Sequence, residues 1–292
     1  MNLLHGPGLE GSMRLPAMIA ILVAGLGLSL ATAARADELL YVPNSTKWVN
    51  QLTGDLDKAS NKPTLSQTDK RYGVASTDLG SSFEHKGKLY FLFGDTNGGG
   101  RPKDADVLAW TTSTDPGKIV LEFFRAKDGR WLPLTVPGVR MSTLEVPSGG
   151  ISINGVIYLV VTTDGDFAKN IMGRSVLARS DDDGKTFKKL YDLSTDKFIN
   201  VSFLSGADGW VYIFGSGKYR ASSVCLARVK SADLGTKSKL EYFNKDRAPN
   251  WFPNNEAAAS VLFTHDQVGE FSVAYLPPVK RFVMLYNAGA PR

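Results

Sequence analysis

The chain has 292 residues, 43% of them apolar and 22% charged, with a formal net charge of +5. That charge is too thinly spread to be a nucleic-acid footprint; the densest run, KTFKK at 185–189, is interrupted by Thr and Phe and reads as one solvated strand face. A single cysteine excludes an internal disulfide, so stability must come from the core, and Cys225 in SSVCLARV reads as a small buried hydrophobe.

Residues 1–36 read as an export signal. Arg14 gives a basic start, Ala17–Leu30 is almost wholly apolar, and Ala34-Arg35-Ala36 matches a small-x-small cleavage site that leaves Asp37 as the new N-terminus. Met13 is a plausible start, since residues 1–12 add nothing a signal needs. The competing reading is a membrane anchor, but the apolar run falls short of the ~20 residues needed to cross a bilayer. The protein is therefore expected to be secreted or periplasmic, with no stable membrane insertion. Residues 37–71 are polar and are expected to wrap the outside of a domain spanning 72–292.

That domain opens with STDLGSSFEHKGKLYFLFGDT at 76–96, two strands joined by a turn at His85-Lys86-Gly87-Lys88. Gly accepts the positive φ that short hairpins need. Leu89–Phe93 is an apolar run suited to a buried strand. Asp78 precedes the hairpin and Asp95 follows it, each close to a Gly, where backbone can approach a ligand.

The unit then recurs as GGISINGVIYLVVTT, FLSGADGWVYIFGSG and SVAYLPPVKRFVMLYN. The first three copies are followed by a third strand: DVLAWTTS, SVLARSDD and SVCLARVK. The turn glycines Gly87, Gly155 and Gly209 lie 68 and 54 residues apart. Repeats of this length, built only from short strands, indicate the blades of a β-propeller. A β-sandwich is the competing fold, but it does not account for the recurring hairpin plus third strand. Because the chain stops after the second strand of a fourth unit, we expect an all-β, five-bladed β-propeller that is incomplete, with about three and a half blades and a C-terminal truncation.

Ser180-Asp181-Asp182-Asp183-Gly184-Lys185-Thr186-Phe187 has the form S-x-D-x-G-x-T-F, which resembles the Asp-box turn of sialidase-type propellers. Its side chains are expected to fasten the turn to itself, with no chemical role for Asp182.

In a propeller the first strand of each blade lines the central channel. Aligning the repeats, with one residue of slack, brings Asp78, Glu145, Asn200 and Glu270 to one level around the axis. Three carboxyls and an amide in one funnel suit glycoside hydrolysis, where one acid protonates the leaving oxygen and a second, ionised, activates water or attacks carbon. Crowding raises the pKa of one such group while another stays charged. The competing reading is that these acids cap inner strands or bind a cation. Sugar sites also need flat rings and polar donors, which Trp251, Asn255 and Glu256 offer in WFPNNE, and Arg220 in KYR is a further candidate, a surface ion pair being its alternative.

Other chemistries fit less well. Three histidines with no HExxH motif, and no CxxC pair, argue against a zinc site. No G-x-S-x-G elbow is present. Gly98-Gly99-Gly100 precedes no helical pattern, so a phosphate loop is not expected.

TDLGSSFEHKGKLYFLFGDT, VPSGGISINGVIYLVV, SGKYRASSVCLARV, NWFPNNEAAASVLF and VGEFSVAYLPPVKRFVMLYN together resemble the exported family known as domain of unknown function 4185. The resemblance spans roughly residues 70–290. It implies a fold similar to five-bladed propeller glycosidases, and a furanosidase activity like that of members that cut arabinofuranosyl linkages in cell-wall arabinan. On that resemblance Asp78 is the essential carboxylate and Glu270 the next candidate catalytic group. Asp95 and Glu145 would then position substrate or tune pKa. The expected partner is a polysaccharide, met by a monomer without a cofactor, although the channel leaves room for a structural cation. The alternatives are a non-catalytic carbohydrate-binding propeller and a sialidase relative. The latter predicts an arginine cluster at the channel mouth, where the sequence offers only scattered arginines.

Overall fold

The computed structural model describes residues 42–143, 145–169, 173–217, 221–265 and 268–288, with the side chains of Leu79 and Phe167 excepted. Residues 1–36, expected to be an export signal, and residues 37–41 of the segment expected to wrap the domain lie outside the described residues. The chain divides into two units, 1–47 and 48–292. Of the first, residues 42–47 are described; there Ser45 N donates to the Val42 carbonyl at 3.1 Å, closing a turn.

The second unit is built from antiparallel sheets. Blade one holds β1 (Ser76–His85), β2 (Lys88–Asn97), β3 (Ala105–Thr111), β4 (Glu122–Phe123) and β5 (Pro133–Leu134). Blade two holds β6 (Pro147–Ile153), β7 (Val156–Thr163), β8 (Arg174–Ser180) and β9 (Lys188–Ser194). Blade three holds β10 (Asn200–Ser205), β11 (Trp210–Ser216), β12 (Val224–Lys230), β13 (Glu241–Phe243) and β14 (Trp251–Pro253). Blade four is the hairpin β15 (Phe271–Leu276) and β16 (Arg281–Tyr286). Apart from Thr68–Tyr72, the helices among the described residues are single 3₁₀ turns.

The hairpin turns form for the reason the sequence gives. Lys86 and Gly87 both have positive φ (46° and 73°), as do Asn154 and Gly155 (51° and 75°). That pair of signs belongs to the tight turn whose twist matches the strands it joins. His85 and Lys88 pair across the two-residue loop as the first and last residues of the turn, and His85 is also buried as the last residue of β1.

The first strands of successive blades lie side by side: β1 beside β6, β6 beside β10, β10 beside β15. That is the blade arrangement of a β-propeller. Its core lies between the sheets. Phe83, Tyr90 and Leu92 of blade one pack against Ile157, Leu159 and Val161 of blade two. Ile151, Tyr158 and Leu177 of blade two meet Val201, Ile213, Cys225 and Tyr242 of blade three. Val224 of blade three meets Val273 and Met284 of blade four. Burying such faces at about 25 cal/mol per Å² is what holds sheets together that share no backbone ladder. Cys225 is 4% exposed, and burial pushes its thiol up.

Residues 48–75 dress blade one from outside. Asn50 Nδ2 donates to the Pro116 carbonyl at 2.6 Å, Leu121 N donates to Ser66 Oγ at 3.1 Å, and Leu52, Tyr72 and Val74 join Phe93, Val107 and Trp131 in one apolar cluster.

Candidate active site

The leading hairpin is irregular where its acids sit. The β1–β2 register slips on both sides of Asp78, which faces Gly94, and the β2–β3 register slips between Phe93 and Thr96. Asp95 stands in that second bulge with φ 42°, a left-handed conformation that side-chain-bearing residues adopt only when the surroundings impose it. The loop after it is tied down. Asn97 Nδ2 donates to the Asp95 carbonyl at 3.0 Å and to Asp104 Oδ1 at 3.1 Å, and Asp104 N donates back to Asn97 Oδ1 at 3.1 Å. Hydrogen bonds from Asn97 and then Thr143 hold the Asp104 carboxyl below its usual range.

Small residues bring the inner strands close. An added Cβ on Gly149 of β6 would stand 2.5 Å from the Val201 carbonyl of β10, and one on Gly150 would stand 2.5 Å from the Phe83 ring of β1. Serine hydroxyls bridge the β6–β10 gap and the next one, β10–β15: Val201 N donates to Ser148 Oγ at 3.3 Å, and Val273 N to Ser202 Oγ at 3.1 Å. At the other end of β1, His85 Nδ1 is 2.7 Å from Ser152 Oγ and its Nε2 is 3.0 Å from Asp183 Oδ1.

Between these strands lies a cavity of about 490 Å³, within the size range of small-ligand sites. Asp78, Asp95, Asn200 and Glu270 all line it, each brought by a different strand or strand entry. Glu270 precedes β15 and accepts from Asn287 Nδ2 at 3.3 Å; the Asn287 backbone N also donates to the Glu270 carbonyl at 2.9 Å. Ser82, Ser148, Ser202 and Ser272 add hydroxyls, while Phe203, Phe271 and Tyr286 add apolar faces. Asn200 is 8% exposed, whereas Asp78 is open to solvent. The wall therefore combines carboxyl groups, hydroxyls and rings, the mixture a sugar needs.

Other expected site residues lie elsewhere. Val146 lines the cavity in place of Glu145, whose buried carboxylate instead accepts from Arg140 Nε at 2.9 Å and Ser142 Oγ at 2.8 Å. Trp251 belongs to β14, the outermost strand of blade three, where its ring stacks on the Arg228 guanidinium at 3.9 Å. Glu256 bridges blades two and three by accepting from Ser194 Oγ at 2.5 Å and Lys197 N at 2.9 Å. Asn255 stands at the N-terminal end of the short turn that carries Glu256, without a side-chain capping bond. None of these four lines the cavity. Arg220 lies outside the described residues. The inner-strand serines were missed, although their recurrence in SSF, PSGG, VSF and FSV was there to be read.

The Asp-box turn is a fastener. Ser180 Oγ donates to Asp182 Oδ1 at 2.8 Å, Thr186 N and Oγ1 donate to the Asp182 carboxylate at 2.9 and 2.7 Å, and Phe187 is buried beneath. Among the described residues no three His, Cys, Asp or Glu side chains come together as a metal site, and no helix is long and apolar enough to cross a membrane.

A profile of the domain of unknown function DUF4185 matches residues 64–292. Among curated protein sequences none matches the chain. Of solved structures, the chain is similar to an endo-arabinase from Bacteroides thetaiotaomicron (14% identity, 76% of this chain and 74% of that one, TM-score 0.44). It is also similar to the α-L-arabinanase of Cellvibrio cellulosa (14%, 72% and 72%, TM-score 0.41) and to an α-L-arabinofuranosidase from Lactobacillus brevis (12%, 74% and 67%, TM-score 0.43).

Proposed function

This chain belongs to the DUF4185 family, and we propose that it is a glycoside hydrolase acting on a furanose-containing polysaccharide of the arabinan type. The observation that carries the reading is that Asp78 and Asp95, from paired strands of blade one, and Glu270, at the entry to blade four, line one cavity with serine hydroxyls and aromatic rings. Of Asp78 and Glu270, one carboxyl protonates the departing glycosidic oxygen and the other, ionised, activates water or attacks the anomeric carbon. Asp95 and Asn200 hold sugar hydroxyls. The furanose preference rests on the resemblance of the sequence blocks around Asp78 and Glu270. The export segment of residues 1–36 would deliver the protein to polysaccharide outside the cytoplasm.

The test is hydrolysis of arabinan or arabinogalactan by the purified protein, followed by reducing-end release. Product formation that disappears in Asp78→Asn supports the reading. Glycan binding without product on long incubation would replace it with the carbohydrate-binding alternative. A sialidase-type site is disfavoured because no arginine lines the cavity among the described residues.

A further inference from the structure

Directly behind the cavity wall, the sequence places an acid where none is needed to hold a strand. Asp106, the second residue of β3, is 1% exposed. Neither of its carboxyl oxygens has a hydrogen-bond partner of normal geometry. It lies under the Asp95 bulge: a Cβ built on Gly94 would be 3.5 Å from Asp106 Oδ1. The titratable groups acting on it are Asp95, from β2, and Glu145, from the segment entering β6.

A carboxylate can only accept hydrogen bonds, whereas an un-ionised carboxylic acid also offers one O–H. Burying a charge without a partner is far more costly than burying the neutral group. Of the three neighbouring acids, Glu145 has its charge matched by Arg140 and Ser142, and Asp95 reaches the cavity. Of the three, Asp106 alone is buried with both carboxyl oxygens lacking a hydrogen bond of normal geometry. We propose that Asp106 is a positioning residue of this site: an un-ionised carboxylic acid that receives the Asp95 backbone N–H behind the bulge and keeps negative charge at the cavity face. Burial first, then the charges of Asp95 and Glu145, push its carboxyl well above the ordinary range, against a smaller pull from the Asp95 backbone N–H. What Asp95 does for catalysis rests on the hydrolase reading; the state of Asp106 does not.

Two measurements that need no substrate decide that state. Infrared spectra of the parent minus Asp106→Asn at pH 7 should show the carbonyl band of an un-ionised acid, lost in the variant; absence of that band overturns the proposal. Because unfolding lets Asp106 ionise, the parent should lose stability relative to Asp106→Asn as pH rises from about 4 toward 7. A constant difference in melting temperature over that interval would also overturn it. If the chain hydrolyses arabinan, Asp106→Val should lower kcat at least tenfold with little change in KM, and Asp106→Asn, which keeps a carbonyl to accept the Asp95 N–H, should restore it. Equal loss in both variants would make the role structural. Failure of all hydrolysis would count against the hydrolase reading alone.

Discussion

Asp78 faces Gly94 across the β1–β2 ladder, one residue short of Asp95, so two carboxyl groups reach the same cavity from paired strands. The register slips on both sides of Asp78 turn it out of the regular alternation. Asp78→Asn and Glu270→Gln should each lower kcat on arabinan by roughly 10²–10⁴, the range for loss of a proton-transferring group, with circular dichroism unchanged. Asp182→Asn, in the Asp-box fastener, should keep activity.

The approach of β6 to β10 leaves no room for a side chain at Gly149. Because the obstacle is the Val201 backbone carbonyl at 2.5 Å, it cannot be relieved by a rotamer change. Gly149→Ala should destabilise by about 1–3 kcal/mol, as overpacking does. That is roughly 2–12 °C in melting temperature for a domain of this size, measured by calorimetry.

Acid should loosen the joint between blades one and two. Lys86 first, and then His85, hold the Asp183 carboxyl down at about 2. A lowered folded-state pKa gives stability that is present above the unfolded value near 3.8 and lost as pH falls through about 4 to 2. Asp183 is half exposed, so the contribution should be at most about 1 kcal/mol. Melting curves of the parent and Asp183→Asn should converge as pH falls from 5 to 2, and parallel curves would refute the assignment.

On the outer edge of blade three, Trp251 stacks on Arg228, and Arg228 Nε donates to Glu241 Oε2 at 2.8 Å. Trp251→Ala should therefore lower the melting temperature while leaving kcat/KM on arabinan within about twofold. A large rise in KM would instead return Trp251 to the substrate path.

Much of this was legible because a propeller repeats. Setting the hairpins in register, with one residue of slack, was enough to bring Asp78, Asn200 and Glu270 together, and the turn glycines marked the first three units. Glu145 escaped because side chains alternate across a strand: one residue of slip exchanges it for Val146, and only the placement of Arg140 shows which of the two turns away. The rings and amides of WFPNNE have the composition of a sugar platform, but composition does not say that the segment forms the rim of a blade rather than its hub. Asp106 opens a strand read only as DVLAWTTS. Its isolation becomes visible only once Gly94 and Asp95 are stacked above it.

The hollow that Asp78, Asn200 and Glu270 share is owned by no single sheet. Its walls stay apposed through lone serine bridges such as Ser148 to Val201 and Ser202 to Val273, and through apolar seams between blades. Strands can survive as hairpins when those seams part, whereas the hollow cannot. Mild denaturant should therefore abolish any arabinan hydrolysis while most of the β-signal persists, so that activity would gauge the apposition of the blades more sensitively than spectroscopy of the backbone does.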